Sequence, residues 1–277
     1  MSECKGMSIA RLEDALVQLG GKTVLGPLSL TVETGDFWGI VGPNGSGKTT
    51  LLRVLAGLQA AARGRVVFLE RAVENGAHYT RALLRRSVGF LFQHHEFLPD
   101  LPFTVEDVVY FGRAGVCGLG RRHGAADHEA VREALESLGL AALRKRLYRE
   151  LSGGERQKTQ LARLVAQGAD LLLLDEPAAG LDLDWQERLT HLVEDLYLRR
   201  GKTLVVVTHD VDHLPASCNR VLLLKQGKPL AAGAPAEVFR PDILSELYGC
   251  PMEVAQRNGR FHAFSLECGR HKRDGGQ

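Results

Sequence analysis

A glycine-rich segment of the chain carries the residue types that bind a phosphate group. Residues 42–49 read GPNGSGKT and match the pattern G-x-x-x-x-G-K-[ST] of a phosphate-binding loop. Glycines let successive backbone N–H groups curve around an anion, and the helix that follows points its positive end at the same place. Lys48 would bind the β and γ phosphates of a nucleotide, and the hydroxyl of Thr49 would ligate Mg²⁺. The expected nucleotide-binding residues of this segment are Gly42, Pro43, Asn44, Gly45, Ser46, Gly47, Lys48, Thr49 and Thr50.

Two adjacent carboxylates follow an apolar run further along the chain. Asp175 and Glu176 come directly after four leucines at 171–174, a run that is typical of a strand buried on both faces of a parallel sheet. The carboxyl end of such a strand is where open α/β folds bind their ligands. Asp175 would therefore hold the Mg²⁺ shell, and Glu176 would polarise an attacking water molecule. The alternative is a strand that ends in solvent with two ordinary acids, and the phosphate loop upstream argues against it.

A third motif, LSGGERQ at 151–157, precedes a predicted helix. Ser152 and Glu155 have the S-x-x-E spacing of a capping box, which would explain both residues without a ligand. The glycines between them, Gly153 and Gly154, each weaken a helix by on the order of 1 kcal/mol relative to alanine and leave backbone N–H groups uncovered. Uncovered N–H groups at a helix N-terminus bind anions. We expect this turn both to cap its helix and to bind a phosphate.

The elements that must position these residues alternate along the chain. Short β-branched runs are predicted to be strands at 36–41, 88–92, 171–174, 204–207 and 221–224. Longer amphipathic stretches are predicted to be helices at 48–58, 129–138, 157–166 and 185–200. This alternation predicts an α/β fold with a largely parallel core sheet. Residues 94–165 show little strand signal, so we expect an α-helical subdomain inserted into the core.

The C-terminal residues follow a different pattern. We expect the core to occupy about residues 8–93 and 166–240, and residues 241–277 to form a C-terminal extension. Asn258 and Gly259 separate two strand-like runs, at 252–256 and 260–266, and predict a hairpin. The polar, glycine-rich residues 267–277 predict a disordered tail.

Composition narrows the class of protein. The 277 residues carry a formal net charge of +2, whereas a nucleic-acid partner favours a stronger basic excess. No apolar run approaches the roughly 18 residues that span a bilayer, and the first residues lack the apolar core of a secretory signal. From the near-neutral net charge we expect no nucleic-acid partner. The five cysteines are scattered without a CxxC pair, so we expect reduced thiols in a cytoplasmic protein.

Taken in order, these motifs resemble those of the ATP-binding subunits of ABC transporters. GPNGSGKT, LSGGERQ and LLLLDEP stand in the order of that family. Gln93 in FLFQHH is similar to the family's Q-loop, residues 179–182 to its D-loop, and His209 in VVVTHD to its switch histidine. The resemblance covers about residues 8–240. It implies an ABC ATPase domain over 1–240, a P-loop NTPase fold with an N-terminal antiparallel β region beside the parallel core.

The resemblance also implies roles for individual residues. Two copies would pack head to tail, as a homodimer or pseudo-dimer, with ATP and Mg²⁺ between them. Glu176 would be the general base, and His209 would contact the γ-phosphate. The expected catalytic residues are Lys48, Gln93, Glu176 and His209; those around Mg²⁺ are Thr49, Gln93 and Asp175; and those that act on the ATP of the second copy are Ser152, Gly153, Gly154, Glu155 and Asp182.

Partners and cargo follow from the same resemblance. It implies integral membrane permease subunits, to which this chain would bind at the cytoplasmic face of the inner membrane; an extracytoplasmic substrate-binding protein is left open. Residues 98–109, 112–113, 236–239 and 247–249 look like those of importers of metal ions and metal chelates, namely zinc, manganese, ferric siderophore, haem or cobalamin. A different cargo, or export, stays an alternative.

One position departs from the family, and three other functions compete with transport. Leu19 stands at the position where the family usually has an aromatic residue that stacks on adenine. Leucine cannot stack in this way, which puts tight adenine selectivity in doubt. A soluble ATPase of this fold, for example in iron–sulfur cluster assembly, would share every nucleotide motif and differ in its partner. A DNA-maintenance ATPase would carry long coiled coils between Lys48 and Asp175, and a phosphotransferase of the phosphate-loop class would need neither LSGGE nor the switch histidine.

Overall fold

The strands that the structure describes form three sheets. The computed structural model describes residues 7–69, 71–72, 84, 86–92, 101–118 and 122–266. In chain order, the strands are β1 (Ser8–Leu19), β2 (Lys22–Glu33), β3 (Phe37–Val41), β4 (Arg63–Phe68), β5 (Arg71–Ala72), β6 (Val88–Leu91), β7 (Leu171–Asp175), β8 (Thr203–Thr208), β9 (Arg220–Lys225), β10 (Lys228–Gly233), β11 (Met252–Arg257) and β12 (Arg260–Ser265).

The α-helices of the described residues lie between and after these strands. They are α1 (Lys48–Leu55), α2 (Val105–Cys117), α3 (Ala125–Ser137), α4 (Gly153–Gln167), α5 (Leu183–Leu198), α6 (Pro235–Val238) and α7 (Pro241–Tyr248). The α5 helix begins two residues before the predicted start at 185, because the carboxylate of Asp182 accepts a hydrogen bond from the Trp185 N–H and caps it. Among the described residues, no helix combines the length and the apolar character needed to cross a bilayer.

The central sheet has six strands in the order β10-β9-β3-β8-β7-β6. The strands from β9 to β6 are parallel, and β10 pairs antiparallel with β9 at one edge. A second, antiparallel sheet in the order β2-β1-β4-β5 contains the first two strands of the chain. The predicted α/β fold, with a largely parallel core and an N-terminal antiparallel region, is therefore confirmed.

Both faces of the central sheet are buried along its parallel strands. All five residues of β7 are buried, with Leu172 and Leu174 in one hydrophobic cluster and Leu171 and Leu173 in the other. The cluster on the first face also contains the helices of the inserted subdomain, and the second contains α1 and the N-terminal sheet. This sheet, covered on both sides, carries the phosphate loop and the two carboxylates at the carboxyl ends of its strands.

Three helices, α2, α3 and α4, form the inserted subdomain in the described part of 94–165, and α4 extends to Gln167. Arg113 of α2 pairs with Asp127 of α3 at 2.8 Å, and its guanidinium also donates to the carbonyl oxygen of Ala166 on α4. The half-buried guanidinium of Arg113 therefore ties the three helices together.

The α7 helix and the β11–β12 strands pack against the core. Leu244 and Leu247 of α7 and Phe261 of β12 belong to, or pack against, the first hydrophobic cluster. β11 and β12 pair around Asn258 and Gly259 as an antiparallel hairpin. The division of the chain at residue 240 stays a prediction, and residues 267–277, expected to form a tail, lie outside the described residues.

Candidate functional site

The phosphate loop runs from β3 to α1 and depends on its glycines. Gly45 and Gly47 have φ angles of 78° and 97°, in the left-handed region that favours glycine. A Cβ on Gly42 would lie 2.2 Å from the carbonyl oxygen of Leu224, so the loop touches the neighbouring strand. Ser46 is buried, and within the described residues its hydroxyl has no hydrogen-bond partner. A buried hydroxyl of this kind, in a loop of curved backbone, suits an anionic ligand.

Lys48 extends from the start of α1 back across this loop. Its Nζ donates to the carbonyl oxygens of Gly42, at 2.7 Å, and Pro43, at 3.1 Å, and lies 3.9 Å from Glu176 Oε1. Burial lowers the pKa of Lys48, while the negative charges of Glu176 and Asp175 raise it again in part. The ammonium group is therefore largely shielded from solvent, at a position where it would bind a phosphate.

Thr49 and Asp175 form an oxygen pair beside the lysine. The Thr49 hydroxyl donates to Asp175 Oδ1 at 3.2 Å, which joins the first turn of α1 to the end of β7. Asp175 is 1% exposed, and burial raises the pKa of its carboxyl group, while the hydrogen bond from Thr49 acts in the opposite direction. A hydroxyl and a carboxylate at this spacing are the hard oxygen ligands that Mg²⁺ prefers. These residues fit the expected Mg²⁺.

Glu176 lies between a lysine and a histidine. Its Oε1 faces Lys48, and its Oε2 lies 3.2 Å from Nδ1 of His209, which follows β8 and is 48% exposed. The backbone of Glu176 has a φ of 46°, unusual for a residue with a side chain, and its N–H donates to the Val207 carbonyl at 3.0 Å. Backbone strain of this kind clusters at functional sites, and here it directs the carboxylate towards the phosphate loop.

The LSGGERQ turn begins α4, and Ser152 and Glu155 bond to each other across its first residues. Ser152 N–H donates to Glu155 Oε2 at 2.8 Å, and Glu155 N–H donates to the Ser152 hydroxyl at 3.3 Å, which completes a capping box. The Glu155 carboxylate accepts hydrogen bonds from the N–H and from the hydroxyl of Ser152, and these hold its pKa below the ordinary value. In the part of the chain that the structure describes, a Cβ on Gly153 would meet nothing within 4 Å, and one on Gly154 would meet only Leu181, at 3.9 Å. The amides of this turn are open to a ligand.

The structure brings part of the expected site together. We call the contacting set Lys48, Thr49, Asp175, Glu176 and His209 the hydrolysis cluster. The Ser152 turn and Asp182 instead cap the helices α4 and α5. Thr50 follows Thr49 on α1 and is half-buried, and Leu19 is 47% exposed at the end of β1. Gln93 lies outside the described residues, so its predicted role stays a prediction.

One residue in contact with this region was missed by sequence reasoning. The hydroxyl of Tyr248 donates to the carbonyl oxygen of His209 at 2.9 Å. The sequence at 247–249 indicates only a likeness to metal importers. The two residues are 39 positions apart, and no local spacing signals a contact of that kind.

Comparison with known proteins identifies relatives of this fold and site. The family model described as ABC transporter matches residues 25–179. The chain is 42% identical over 242 residues to the hemin import ATP-binding protein HmuV of Streptomyces coelicolor, which covers 86% of this chain and 82% of that protein. It is 36% identical over 244 residues to the ferric enterobactin transport ATP-binding protein FepC of Escherichia coli, covering 87% and 88%.

Solved structures agree with these relatives. An ABC transporter of metal-chelate type in an inward-facing conformation has a TM-score of 0.76 and 27% identity, and the match covers 94% of this chain and 98% of that one. A dimeric ATP-binding cassette, MJ0796, bound to ADP and Pi in a post-hydrolysis state has a TM-score of 0.72 and 26% identity, covering 81% and 98%.

Proposed function

Since this chain belongs to the ABC transporter family, we propose that it hydrolyses ATP to power the import of an iron chelate such as haem or a ferric siderophore. The observation that carries the enzymatic part is the hydrolysis cluster, in which a carboxylate lies between a lysine and a histidine. The cargo is supported by relatives that are named for hemin, ferric enterobactin and Fe³⁺, while one further relative is named for sulfate and thiosulfate.

Binding of ATP is assigned to the phosphate loop and α1. The loop amides and the Lys48 ammonium group would bind the β and γ phosphates, and their desolvated position strengthens each charge-assisted hydrogen bond. Thr49 and Asp175 would hold Mg²⁺, which neutralises charge on the phosphates and fixes their orientation. Leu19 offers adenine an apolar contact without ring stacking, so we assign most of the affinity to the phosphates.

Hydrolysis is assigned to Glu176 and His209. The carboxylate of Glu176 would accept the proton of a water molecule that attacks the γ-phosphorus. Lys48 contacts one oxygen of this carboxylate and His209 contacts the other, so the two residues fix its orientation. The strained backbone at residue 176 limits the other conformations that this side chain can adopt. His209, half exposed beside it, would donate a hydrogen bond to the γ-phosphate.

The remaining predicted residues are assigned to a second copy of the chain. The amides of Gly153 and Gly154 are open within one chain, and in a head-to-tail dimer they would bind the γ-phosphate held by the other copy. Asp182, at the start of α5, would lie at that interface. Permease subunits in the inner membrane would bind the dimer on their cytoplasmic face, and an extracytoplasmic protein would deliver the cargo.

Replacement of Glu176 by glutamine tests the enzymatic assignment. Glu176→Gln keeps the shape of the side chain but removes the proton acceptor, so we expect hydrolysis to fall by about 10²–10⁴-fold. MgATP binding should persist, and a dimer should accumulate with ATP in size-exclusion chromatography. The control is Glu129→Gln, which changes an exposed glutamate of α3. Wild-type turnover in Glu176→Gln would refute the assigned base.

Purification from native membranes tests the transport assignment against the soluble alternative. We expect a tagged chain to co-purify with a polytopic membrane protein at equal stoichiometry after gentle solubilisation. We also expect its ATPase rate in that complex to rise when haem or a ferric siderophore is supplied with its binding protein. Recovery with a soluble scaffold alone would leave the ATPase intact and would overturn transport.

A further inference from the structure

The segment that carries His209 forms a tight loop of its own. β8 ends at Thr208, and the loop ends in a 3-10 helix over Val211–His213. The Thr208 hydroxyl donates to the Asp210 carbonyl at 3.1 Å, and Asp212 N–H donates to Asp210 Oδ1 at 3.0 Å. These hydrogen bonds fix the shape of the loop. They do not fix its position relative to the carboxylate that His209 contacts, so that position depends on other elements.

The C-terminal hairpin holds one end of this loop at Asp212. Ala263 N–H donates to Asp212 Oδ1 at 3.1 Å, and His262 Nδ1 lies 3.1 Å from Oδ2. Arg260 Nη2 donates to the Asp212 carbonyl at 3.0 Å, and its Nη1 lies 2.9 Å from a carboxylate oxygen of Glu187 on α5. Both carboxylate oxygens and the backbone of Asp212 are therefore bound by β12, which is itself anchored to a core helix.

The other end of the loop is held by α7. Tyr248 is the last residue of this helix, and its hydroxyl donates to the His209 carbonyl at 2.9 Å. The helix cannot move freely, because Leu244 and Leu247 are buried in the cluster under the central sheet. Burial raises the pKa of Tyr248 well above its ordinary value, so the hydroxyl keeps its proton and remains a donor.

We propose that Tyr248 is a positioning residue for ATP hydrolysis: its hydroxyl fixes the backbone of His209 so that the imidazole reaches Glu176 and the γ-phosphate. The hairpin braces the same loop three residues further on, at Asp212. The C-terminal extension is thereby a support for the catalytic histidine and not an appendage. This inference rests on the proposed roles of His209 and Glu176.

A second tyrosine of the chain supplies a matched comparison. The hydroxyl of Tyr197 also donates to a backbone carbonyl, that of Gly35, at 3.1 Å, and accepts from Asn219 at 2.9 Å. These contacts involve no residue of the hydrolysis cluster. If a tyrosine hydroxyl matters only because it satisfies a carbonyl, then its loss at Tyr197 and at Tyr248 should have the same kind of effect.

The test compares Tyr248→Phe with Tyr197→Phe in the full chain. We expect Tyr248→Phe to lower kcat about tenfold and to leave KM for ATP within about twofold, because misplacement of a catalytic group affects the chemical step and the phosphate loop is untouched. Tyr197→Phe should keep both constants within about twofold, whatever its effect on Tm. A kcat of the wild-type size in Tyr248→Phe, or equal losses in both variants, would overturn the proposal.

A third variant separates this proposal from the assignment beneath it. If His209→Ala loses hydrolysis while Tyr248→Phe keeps it, the positioning role alone is wrong. If His209→Ala itself turns over ATP at the wild-type rate, the assigned role of His209 fails and the positioning role fails with it.

Discussion

The backbone N–H groups of Gly153 and Gly154 are uncovered because neither residue carries a side chain. Nothing among the described residues requires glycine at 153, because a Cβ there would meet none of their atoms within 4 Å. Glycine nevertheless costs a helix about 1 kcal/mol relative to alanine. This free space agrees with the proposal that a ligand approaches the start of α4.

Gly153→Ala should separate function from stability. We expect its free energy of unfolding to stay unchanged or to rise by up to about 1 kcal/mol, because alanine favours the helix and has room. ATP hydrolysis should fall, because the added methyl group blocks the approach of the phosphate held by the second copy. Urea unfolding and steady-state hydrolysis measure the two effects. Full hydrolysis in this variant would show that the turn only caps its helix.

A close approach between two helices sets the shape of the inserted subdomain. A Cβ on Gly112 of α2 would lie 2.2 Å from the carbonyl oxygen of Arg163 on α4. Backbone atoms cannot move aside as the end of a flexible side chain can. The contact between α2 and α4 therefore requires glycine at this one position.

Gly112→Ala should have the opposite outcome to the substitution at 153. The methyl group would force α2 away from α4, so we expect the free energy of unfolding to fall by about 1–3 kcal/mol, the usual cost of overpacking. Urea unfolding measures the change, with Gly153→Ala as the matched control for glycine-to-alanine replacement in a helix. Equal stability of the two variants would contradict the close approach.

Elements differed in how far the sequence could predict them. The five parallel strands of the central sheet are apolar runs between turn residues, so the pattern predicts their positions, whereas the edge strand β10 has no such run and is not predicted. The first strand, β1, does not alternate: its pairing with β2 shifts register several times, and Asp14 within it has a φ of 46°. Such bulges break the period of two on which a strand prediction depends, and only the family resemblance indicated an antiparallel region there.

The candidate site divides in the same way. Lys48, Thr49, Asp175 and Glu176 lie in motifs whose spacing predicts their chemistry, and the structure brings them into contact. Tyr248 reaches the site only through the packing of α7 on the core. A contact that depends on the whole fold has no local pattern, so the sequence alone could not indicate it.

At the scale of the whole molecule, the reactivity of the Cys218 thiol can show whether the core is folded. Its side chain is buried beneath β3, where the thiol donates to the Phe37 carbonyl at 3.5 Å and to the Arg220 carbonyl at 3.3 Å. Burial raises the pKa of Cys218 to about 12. The thiolate, which is the reactive form, is therefore almost absent from the folded protein at neutral pH.

Alkylation of Cys218 should accordingly follow global unfolding. At pH 8 we expect iodoacetamide to leave this thiol unmodified in the native protein and to modify it as urea unfolds the chain, measured by mass spectrometry of peptides. Cys250, which is half-buried, is the internal control and should react first. A native-state rate for Cys218 equal to that of Cys250 would mean that this part of the core opens locally.

Because the parallel strands of the central sheet are buried on both faces, substitutions and insertions in these strands should differ in how well evolution tolerates them. In β7, the leucines on both faces are buried. A shift of the strand by one residue would therefore place leucine on each face again and would move no leucine into solvent. Only the acids that end the strand mark its register, because one inserted residue would carry Asp175 about 3.3 Å along the strand and turn it to the other face. We therefore expect evolution to tolerate the replacement of one leucine by another aliphatic residue but not the insertion or deletion of a residue in the strand.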